Sequence, residues 1–258
     1  MRAVIFAGAF SLILSLLGTP VFIRYLVRHE YGQFIRQDGP TAHYTKRGTP
    51  TMGGVIIIGA TVLGWLAALA VTGRVPGLSA LLVVFLMIGL GVIGFFDDYI
   101  KISRQRSLGL SPRWKFAGQG VVGSSFSLLS LRFATGFGSR PASPPLPLLR
   151  DTPLTLAFAG AAVGLVLFVL WANFLITAWS NAVNLTDGLD GLATGAPVMV
   201  FAAYVLVAIW QLNQNCQFVN RARPGCYEVR EPRDPAILSA AIMGACFGFV
   251  VWNAATER

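Results

Sequence analysis

Residues 78–101 read LSALLVVFLMIGLGVIGFFDDYIK. The first nineteen of these residues contain no charged side chain, and as an α-helix they would cross most of a ~30 Å hydrocarbon core. A helix satisfies its own backbone hydrogen bonds, as a lipid environment requires. Asp97, Asp98 and Lys101 follow the apolar run at once. The stretch therefore predicts a transmembrane helix with a polar site at one end.

Comparable apolar runs occupy much of the remaining chain. They lie at residues 3–23, 52–72, 116–135, 153–178, 190–212 and 236–252. The composition agrees, since 55% of the residues are hydrophobic and only 12% are charged, about half the charged fraction of soluble domains. No signal-peptide cleavage pattern follows the first run. We predict an all-α polytopic membrane protein with about seven transmembrane helices and one integral membrane domain over residues 1–258.

The net charge of +9 reflects the loops between the spans. Residues 24–51 and 97–115 together hold ten Lys and Arg, whereas residues 73–77 hold only Arg74. The positive-inside rule then places the first two loops in the cytoplasm and the N-terminus outside. Residues 213–235, with four Arg and three acidic residues, are the exception. We predict a multi-pass protein of the cell membrane whose partners include the bilayer and exclude nucleic acid.

The chain contains only three lysines, Lys46, Lys101 and Lys115. All three fall in the predicted cytoplasmic loops, although the chain otherwise uses seventeen arginines. Positive-inside anchoring explains their side of the membrane but would be served equally well by arginine. Binding of phosphate by a flexible ammonium group is the alternative, and both interpretations stay open.

Residues 46–54, KRGTPTMGG, form the first polar cluster. A helix is predicted to begin near Thr51, and glycine-rich turns at helix N-termini favour anions. An ordinary capped helix start is the alternative.

Asp97, Asp98 and Lys101 form the second cluster. The spacings i,i+4 and i,i+3 allow the lysine to reach both carboxylates on a helix surface. Two acids at a helix C-terminus oppose the macrodipole, and Mg²⁺ together with Lys101 would compensate for them. A solvated helix end is the alternative.

Residues 181–191, NAVNLTDGLDG, form the third cluster. Asn181, Asn184, Asp187 and Asp190 recur at every third position, while Gly188 and Gly191 make an unbroken helix unfavourable. A short loop here would expose carboxylates and backbone to a polar ligand, although interfacial capping would also explain the residues. Acids beside lysines and Gly/Thr turns fit a diphosphate bound with Mg²⁺.

The three clusters, in this order among the spans, resemble the motifs of the bacterial phospho-N-acetylmuramoyl-pentapeptide-transferase family. The resemblance implies Mg²⁺-dependent transfer of phospho-N-acetylmuramoyl-pentapeptide from UDP-N-acetylmuramoyl-pentapeptide to undecaprenyl phosphate, giving lipid I and UMP on the cytoplasmic face during peptidoglycan synthesis. It implies catalytic roles for Asp97, Asp98 and Lys101, with the two carboxylates also candidate metal ligands. Which carboxylate acts as the base stays open. The implied substrate-binding residues are Lys46, Thr51, Lys115, Asn184, Asp187, Gly188, Leu189 and Asp190.

The family pattern continues beyond residues 252–254 to a Gly-Asp-Thr-Gly motif, a His-rich motif and about three further spans, whereas this sequence stops at Arg258. We therefore expect a domain that is incomplete at its C-terminus, with little or no activity by itself. A polyprenyl-phosphate N-acetylhexosamine-1-phosphate transferase and a non-catalytic membrane fragment or binder are the alternatives. A second copy of the chain is a further candidate partner. A disulfide between Cys216 and Cys226 stays open at this stage.

Overall fold

The computed structural model describes residues 1–29, 52–105, 108–134, 140–142, 145–147, 151–186, 191–216, 226–227 and 229–253. These ranges contain seven α-helices, one for each apolar run in the sequence. The helices are α1 (Arg2–Arg28), α2 (Gly53–Thr72), α3 (Leu78–Ser103), α4 (Pro112–Arg132), α5 (Ala161–Thr186), α6 (Leu192–Gln214) and α7 (Arg233–Asn253). The predicted all-α architecture is confirmed.

Six of the seven helices are long and apolar enough to cross a membrane, and α4 is the exception. Its 21 residues include four serines and three glycines, together with the polar Lys115 and Gln119. Its polar groups have partners within the bundle, because Ser127 donates to the Gly123 carbonyl at 2.7 Å and Asn173 of α5 donates to Ser124 at 3.2 Å. The prediction of about seven spans is therefore supported by composition for six helices, while the fourth is a polar helix packed against α3 and α5.

The best-buried part of the bundle is formed by α1, α2 and α7. Small residues allow the helices to approach closely: a side chain added at Gly244 would overlap the Gly8 carbonyl, and one at Gly64 would overlap Ser11. Close backbone contact of this kind supplies van der Waals attraction where the lipid gives little hydrophobic drive. Cys246 is 4% exposed within this region, as its position in an apolar run predicts.

The helix ends form two opposite surfaces. Leu26, Met52 and Ile102 pack together, so α1 and α3 end where α2 begins, and we call this surface the site end. At the opposite surface, the far end, Ser79 donates to Glu231 at 2.8 Å. The N-terminal part of α4 joins the site end, because Lys115 near its start contacts Asp97 near the end of α3. The last turns of α5 pack beside it.

The far end carries the irregular structure. Strands β1 (Pro145–Pro147) and β2 (Asp151–Thr155) pair antiparallel within the proline-rich connection from α4 to α5. The fifth helix was predicted at 153–178 but begins later, at Ala161, because its first predicted residues belong to β2 and a turn. Cys216 and Cys226 are joined by a disulfide with Cα atoms 5.1 Å apart.

Candidate active site

Asp97 is the best-buried member of the second cluster, with 5% of the residue exposed. Its Oδ2 lies 2.8 Å from Nζ of Lys101, and its Oδ1 lies 2.9 Å from Nζ of Lys115. The backbone N–H of Leu110 also donates to Oδ1 at 2.8 Å. Both oxygen atoms of this carboxylate therefore accept hydrogen bonds, and together they fasten the end of α3 to the start of α4.

Gly109 allows this contact. A side chain at this position would overlap the Asp97 carboxylate, so the segment before α4 can lie against the acid only without a Cβ. Ser111 and Pro112 then begin α4, with the proline in the first turn, where its missing N–H removes no helical hydrogen bond. Gly109 was not among the predicted site residues. The available signal was a glycine two residues before the Ser111-Pro112 helix start, which leads to a predicted phosphate-binding lysine.

Asp98 differs from Asp97 in accessibility. Its Oδ1 lies 2.9 Å from Nζ of Lys101, and 30% of its side chain is exposed, against 7% for Asp97. Lys101 thus bonds both carboxylates, in the i,i+3 and i,i+4 geometry that the spacing predicted. The more exposed acid has the better access to a ligand arriving at the site end.

The charges of this centre balance. Two ammonium groups face two carboxylates at the C-terminal end of α3, where the helix macrodipole disfavours the acids. Replacing a whole partly buried pair of this kind by apolar residues often costs little stability, because desolvation offsets much of the attraction, whereas removing one partner alone is destabilising. Stability alone therefore gives no reason to keep four charges here. The centre is therefore a candidate ligand site.

Gln119 joins the second and third clusters and was also overlooked in the sequence. It lies one helical turn after Lys115 on α4 and is 6% exposed. Its Nε2 donates to Oγ of Ser180 at 3.0 Å, and its Oε1 accepts from Asn181 at 3.4 Å. Asn181 also donates to the Thr177 carbonyl at 2.8 Å, which fixes its side chain. A lone glutamine within the apolar run 116–135 was the available signal.

Asn184 lies three residues beyond Asn181, exposed near the end of α5. Helix α5 ends at Thr186, and α6 begins at Leu192 after Gly191, which has a φ of 76°. The predicted interruption of the helix is thus confirmed. Six predicted site residues lie outside the described residues: Lys46, Thr51, Asp187, Gly188, Leu189 and Asp190.

The oxygen ligands near this centre match a magnesium site only in part. The described part of the chain holds no group of three or more His, Cys, Asp or Glu that could surround a metal. Mg²⁺ is commonly bound through only one or two carboxylates, with substrate phosphates and water completing its octahedron. Asp97 and Asp98 fit that pattern rather than an all-protein cage.

Six apolar helices and a lysine–carboxylate centre at one helix end define a class: a multi-pass membrane protein with a candidate polar site. The pattern of Glycosyl transferase family 4 matches residues 80–258, and the Phospho-N-acetylmuramoyl-pentapeptide-transferase signature 1 matches residues 46–58. The chain belongs to the phosphoglycosyl transferases of this family, in the phospho-N-acetylmuramoyl-pentapeptide-transferase group.

Relatives that carry this enzyme name match the whole chain. The protein from Beutenbergia cavernae is 66% identical over 258 residues, covering 100% of this chain and 72% of the relative. The protein from Kineococcus radiotolerans is 60% identical over 260 residues, and that from an Arthrobacter species is 52% identical over 265 residues, with the same coverage. The chain therefore spans about 72% of the length of these relatives. The family predicted from the three motifs is confirmed.

Proposed function

We propose that this chain forms the membrane site that transfers phospho-N-acetylmuramoyl-pentapeptide from UDP-N-acetylmuramoyl-pentapeptide to undecaprenyl phosphate. The observation that carries the proposal is the Asp97 carboxylate, which holds Lys101 and Lys115 side by side at one helix end. Two ammonium groups held in this way match the charge of a diphosphate. The relatives' shared name supplies the sugar and peptide part of the substrate.

The reaction is an exchange at phosphorus. An oxygen of the lipid phosphate forms a bond to the sugar-linked phosphorus of the nucleotide substrate. The bond from that phosphorus to the bridging oxygen breaks, and UMP leaves with the electron pair. Negative charge gathers on the non-bridging and leaving oxygens, so preorganised cations lower the barrier. Lys101 and Lys115 are the cations that this part of the chain supplies.

The two carboxylates have different tasks in this proposal. Asp97 has both oxygens engaged, so it positions the lysines and the start of α4. Asp98 is the more accessible acid, and it accepts the proton of a monoprotonated lipid phosphate. Asp97 and Asp98 are the residues that would hold Mg²⁺, and the ion would neutralise part of the substrate's charge.

Gln119 gives the site its second wall. Gln119 lies one turn after Lys115 along α4, and its hydrogen bonds hold Asn181 of α5 beside it. Asn184 follows about one turn further along α5. This arrangement supports a substrate that extends from the lysine pair toward the third motif. The uridine contacts of Gly188, Leu189 and Asp190 remain a prediction, as do the phosphate contacts of Lys46 and Thr51.

The site end faces the cytoplasm in this proposal, because the loops richest in lysine and arginine flank it. That orientation brings a soluble nucleotide substrate and a membrane-bound lipid phosphate to the same surface. A homodimer also stays a prediction.

The test is UMP release from UDP-N-acetylmuramoyl-pentapeptide in detergent with undecaprenyl phosphate. Because the chain spans 72% of its relatives, it is assayed as it stands and also continued with the remaining C-terminal segment of the Beutenbergia cavernae relative. We expect Mg²⁺-dependent UMP release from the continued chain, abolished by EDTA and restored by added Mg²⁺. Failure of the continued chain to release UMP, with folding intact, would contradict the proposal.

The alternative transferase is tested in the same assay with UDP-N-acetylglucosamine in place of the muramoyl nucleotide. The signature matched at residues 46–58 favours the muramoyl substrate. Faster turnover of the N-acetylglucosamine nucleotide would favour the alternative instead.

A further inference from the structure

Helix α1 contains a proline, Pro20, in its interior. Because proline has no backbone N–H, the carbonyl of Leu16, one turn earlier, lacks the helical hydrogen bond that residue 20 would otherwise donate. An unpaired carbonyl is costly inside a bilayer, and proline is tolerated in membrane helices where a neighbouring group pairs with the freed carbonyl. The partner here comes from α7, since Nε1 of Trp252 donates to the Leu16 carbonyl oxygen at 2.8 Å.

One face of α7 meets successive carbonyls of α1. A side chain added at Gly244 would overlap the Gly8 carbonyl, and a Cβ at Gly248 would lie 2.8 Å from the Leu12 carbonyl oxygen. Trp252 follows one turn later on the same face and meets the freed carbonyl. The two carbonyls that face glycine keep their helical donors four residues later in α1. The tryptophan therefore stands where a donor is missing.

A tryptophan near the end of a membrane helix has an ordinary explanation. Its ring collects at the membrane surface, where the N–H stays hydrated. In this bundle the N–H of Trp252 instead enters the backbone of α1, about three turns before that helix ends at Arg28. Interfacial anchoring does not require such a partner, whereas the carbonyl freed by Pro20 does.

The end of α7 also supports the start of α2. A side chain at Gly53, the first residue of α2, would overlap the ring of Phe249, so the ring lies directly against this backbone. Met52, just before it, has a φ of 72°, a left-handed conformation that a residue with a Cβ keeps only where its neighbours hold it. Met52 is buried against Leu26 and Ile102. The turn that leads from the first polar cluster into α2 is thus held by α1, α3 and α7.

We propose that Trp252 is a positioning residue for the transfer reaction, a role that rests on the function proposed above. By pairing with the carbonyl that Pro20 frees, it fixes α7 along α1. Phe249, one turn earlier on α7, is thereby held against Gly53, and the first polar cluster at residues 46–54 keeps the position in which it receives the nucleotide substrate. Trp252 acts through this packing and not by touching the substrate.

The first experiment is a double-mutant cycle between W252F and P20A in the chain as it stands, with thermal unfolding in detergent followed by circular dichroism. Phenylalanine keeps an aromatic ring and removes the donor. Alanine at position 20 restores the backbone N–H, so the Leu16 carbonyl regains a partner within α1. We expect W252F to lower Tm by a few degrees when Pro20 is present and by clearly less in P20A. An equal loss in both backgrounds would overturn the pairing.

The second experiment measures KM for UDP-N-acetylmuramoyl-pentapeptide and kcat for UMP release in the continued chain. W252F should raise KM about threefold to tenfold, the effect of about one hydrogen bond, while kcat stays within about twofold. A protein that is only destabilised would lose active molecules, which lowers the apparent kcat and leaves KM unchanged. The double variant P20A/W252F should have the KM of P20A, because the restored N–H replaces the indole.

The matched control is W171F, the same substitution on the exposed surface of α5, where Trp171 stacks on Phe174. It should keep the KM and Tm of the unaltered chain. An unchanged KM in W252F, with UMP release intact, would overturn the positioning role and leave the proposed transfer standing. Absence of UMP release from the unaltered continued chain would contradict the transfer together with its positioning residue, while the Tm cycle would still decide the pairing.

Discussion

Replacing Lys115 by methionine removes the ammonium that lies 2.9 Å from Oδ1 of Asp97, while it keeps most of the side chain's length. Asp97, 5% exposed, would keep Lys101 and the Leu110 N–H as partners. A hydrogen bond to a charged group contributes about 1.5–3 kcal/mol. Because the lysine side chain is 27% exposed, solvent screening places the loss near the lower limit, about 1.5–2 kcal/mol. In a chain of this size that loss corresponds to a fall in Tm of about 3–8 °C.

The assay is thermal unfolding of the purified protein in detergent, followed by tryptophan fluorescence. K115R keeps the charge and should lose less stability than K115M. R113Q, which removes an exposed arginine from the same helical turn, is the matched control and should melt with the unaltered chain. In a double-mutant cycle with D97N, the effects of K115M and D97N should not add, because both remove the same bond. A K115M variant that melts like R113Q, or additive effects in the cycle, would refute the ion pair.

Three further changes test neighbouring parts of the structure. Q119L removes the two hydrogen bonds that Gln119 makes to α5, so it should lower Tm by a few degrees and raise KM for the nucleotide more than it lowers kcat. An effect on Tm alone would mean that these hydrogen bonds are only structural. G109A should lower both turnover and Tm, because its methyl group would overlap the buried Asp97 carboxylate. The control G120A places its methyl group in open space. Equal turnover and Tm of the two variants would contradict the close approach of Gly109 to Asp97. Reduction of the Cys216–Cys226 disulfide, which closes a short loop, should lower the unfolding free energy by about 2–3 kcal/mol, because the unfolded chain gains conformational entropy. An unchanged Tm in protein whose two thiols are shown to be free by thiol quantification would contradict this.

The helices were predictable because the hydrocarbon core imposes one length and one composition on every span. All seven predicted helices are therefore present, and the wrong predictions concern their ends. Helix α3 continues beyond the apolar run to Ser103, so Asp97 and Asp98 lie on the helix itself. The fifth helix, predicted to begin at residue 153, begins at Ala161 because β2 occupies residues 151–155. Hydropathy does not distinguish a strand and turn at the membrane surface from the first turns of a span.

The candidate site was predictable where its residues are neighbours along the chain. Lys101 reaches Asp97 and Asp98 because helical periodicity requires it. The contact of Lys115 with Asp97 and the bridge through Gln119 are tertiary, so local spacing could not predict them. Gly109 was not predicted for the same reason, because only the folded structure shows that Asp97 lies against it and leaves no room for a Cβ.

The most direct test of the central claim is the rate of UMP release by D97N and D98N in the continued chain, at saturating substrates and Mg²⁺. The control is D151N, which alters a strand in the connection from α4 to α5 at the far end. If the lysine–carboxylate centre performs the transfer, both site variants should lose at least about a hundredfold in kcat. D151N should keep the kcat of the unaltered chain. All three variants should elute from size-exclusion chromatography in detergent at the same volume as the unaltered chain, which shows that they are folded. Retention of kcat within a few-fold by folded D97N and D98N would contradict the assignment of this centre.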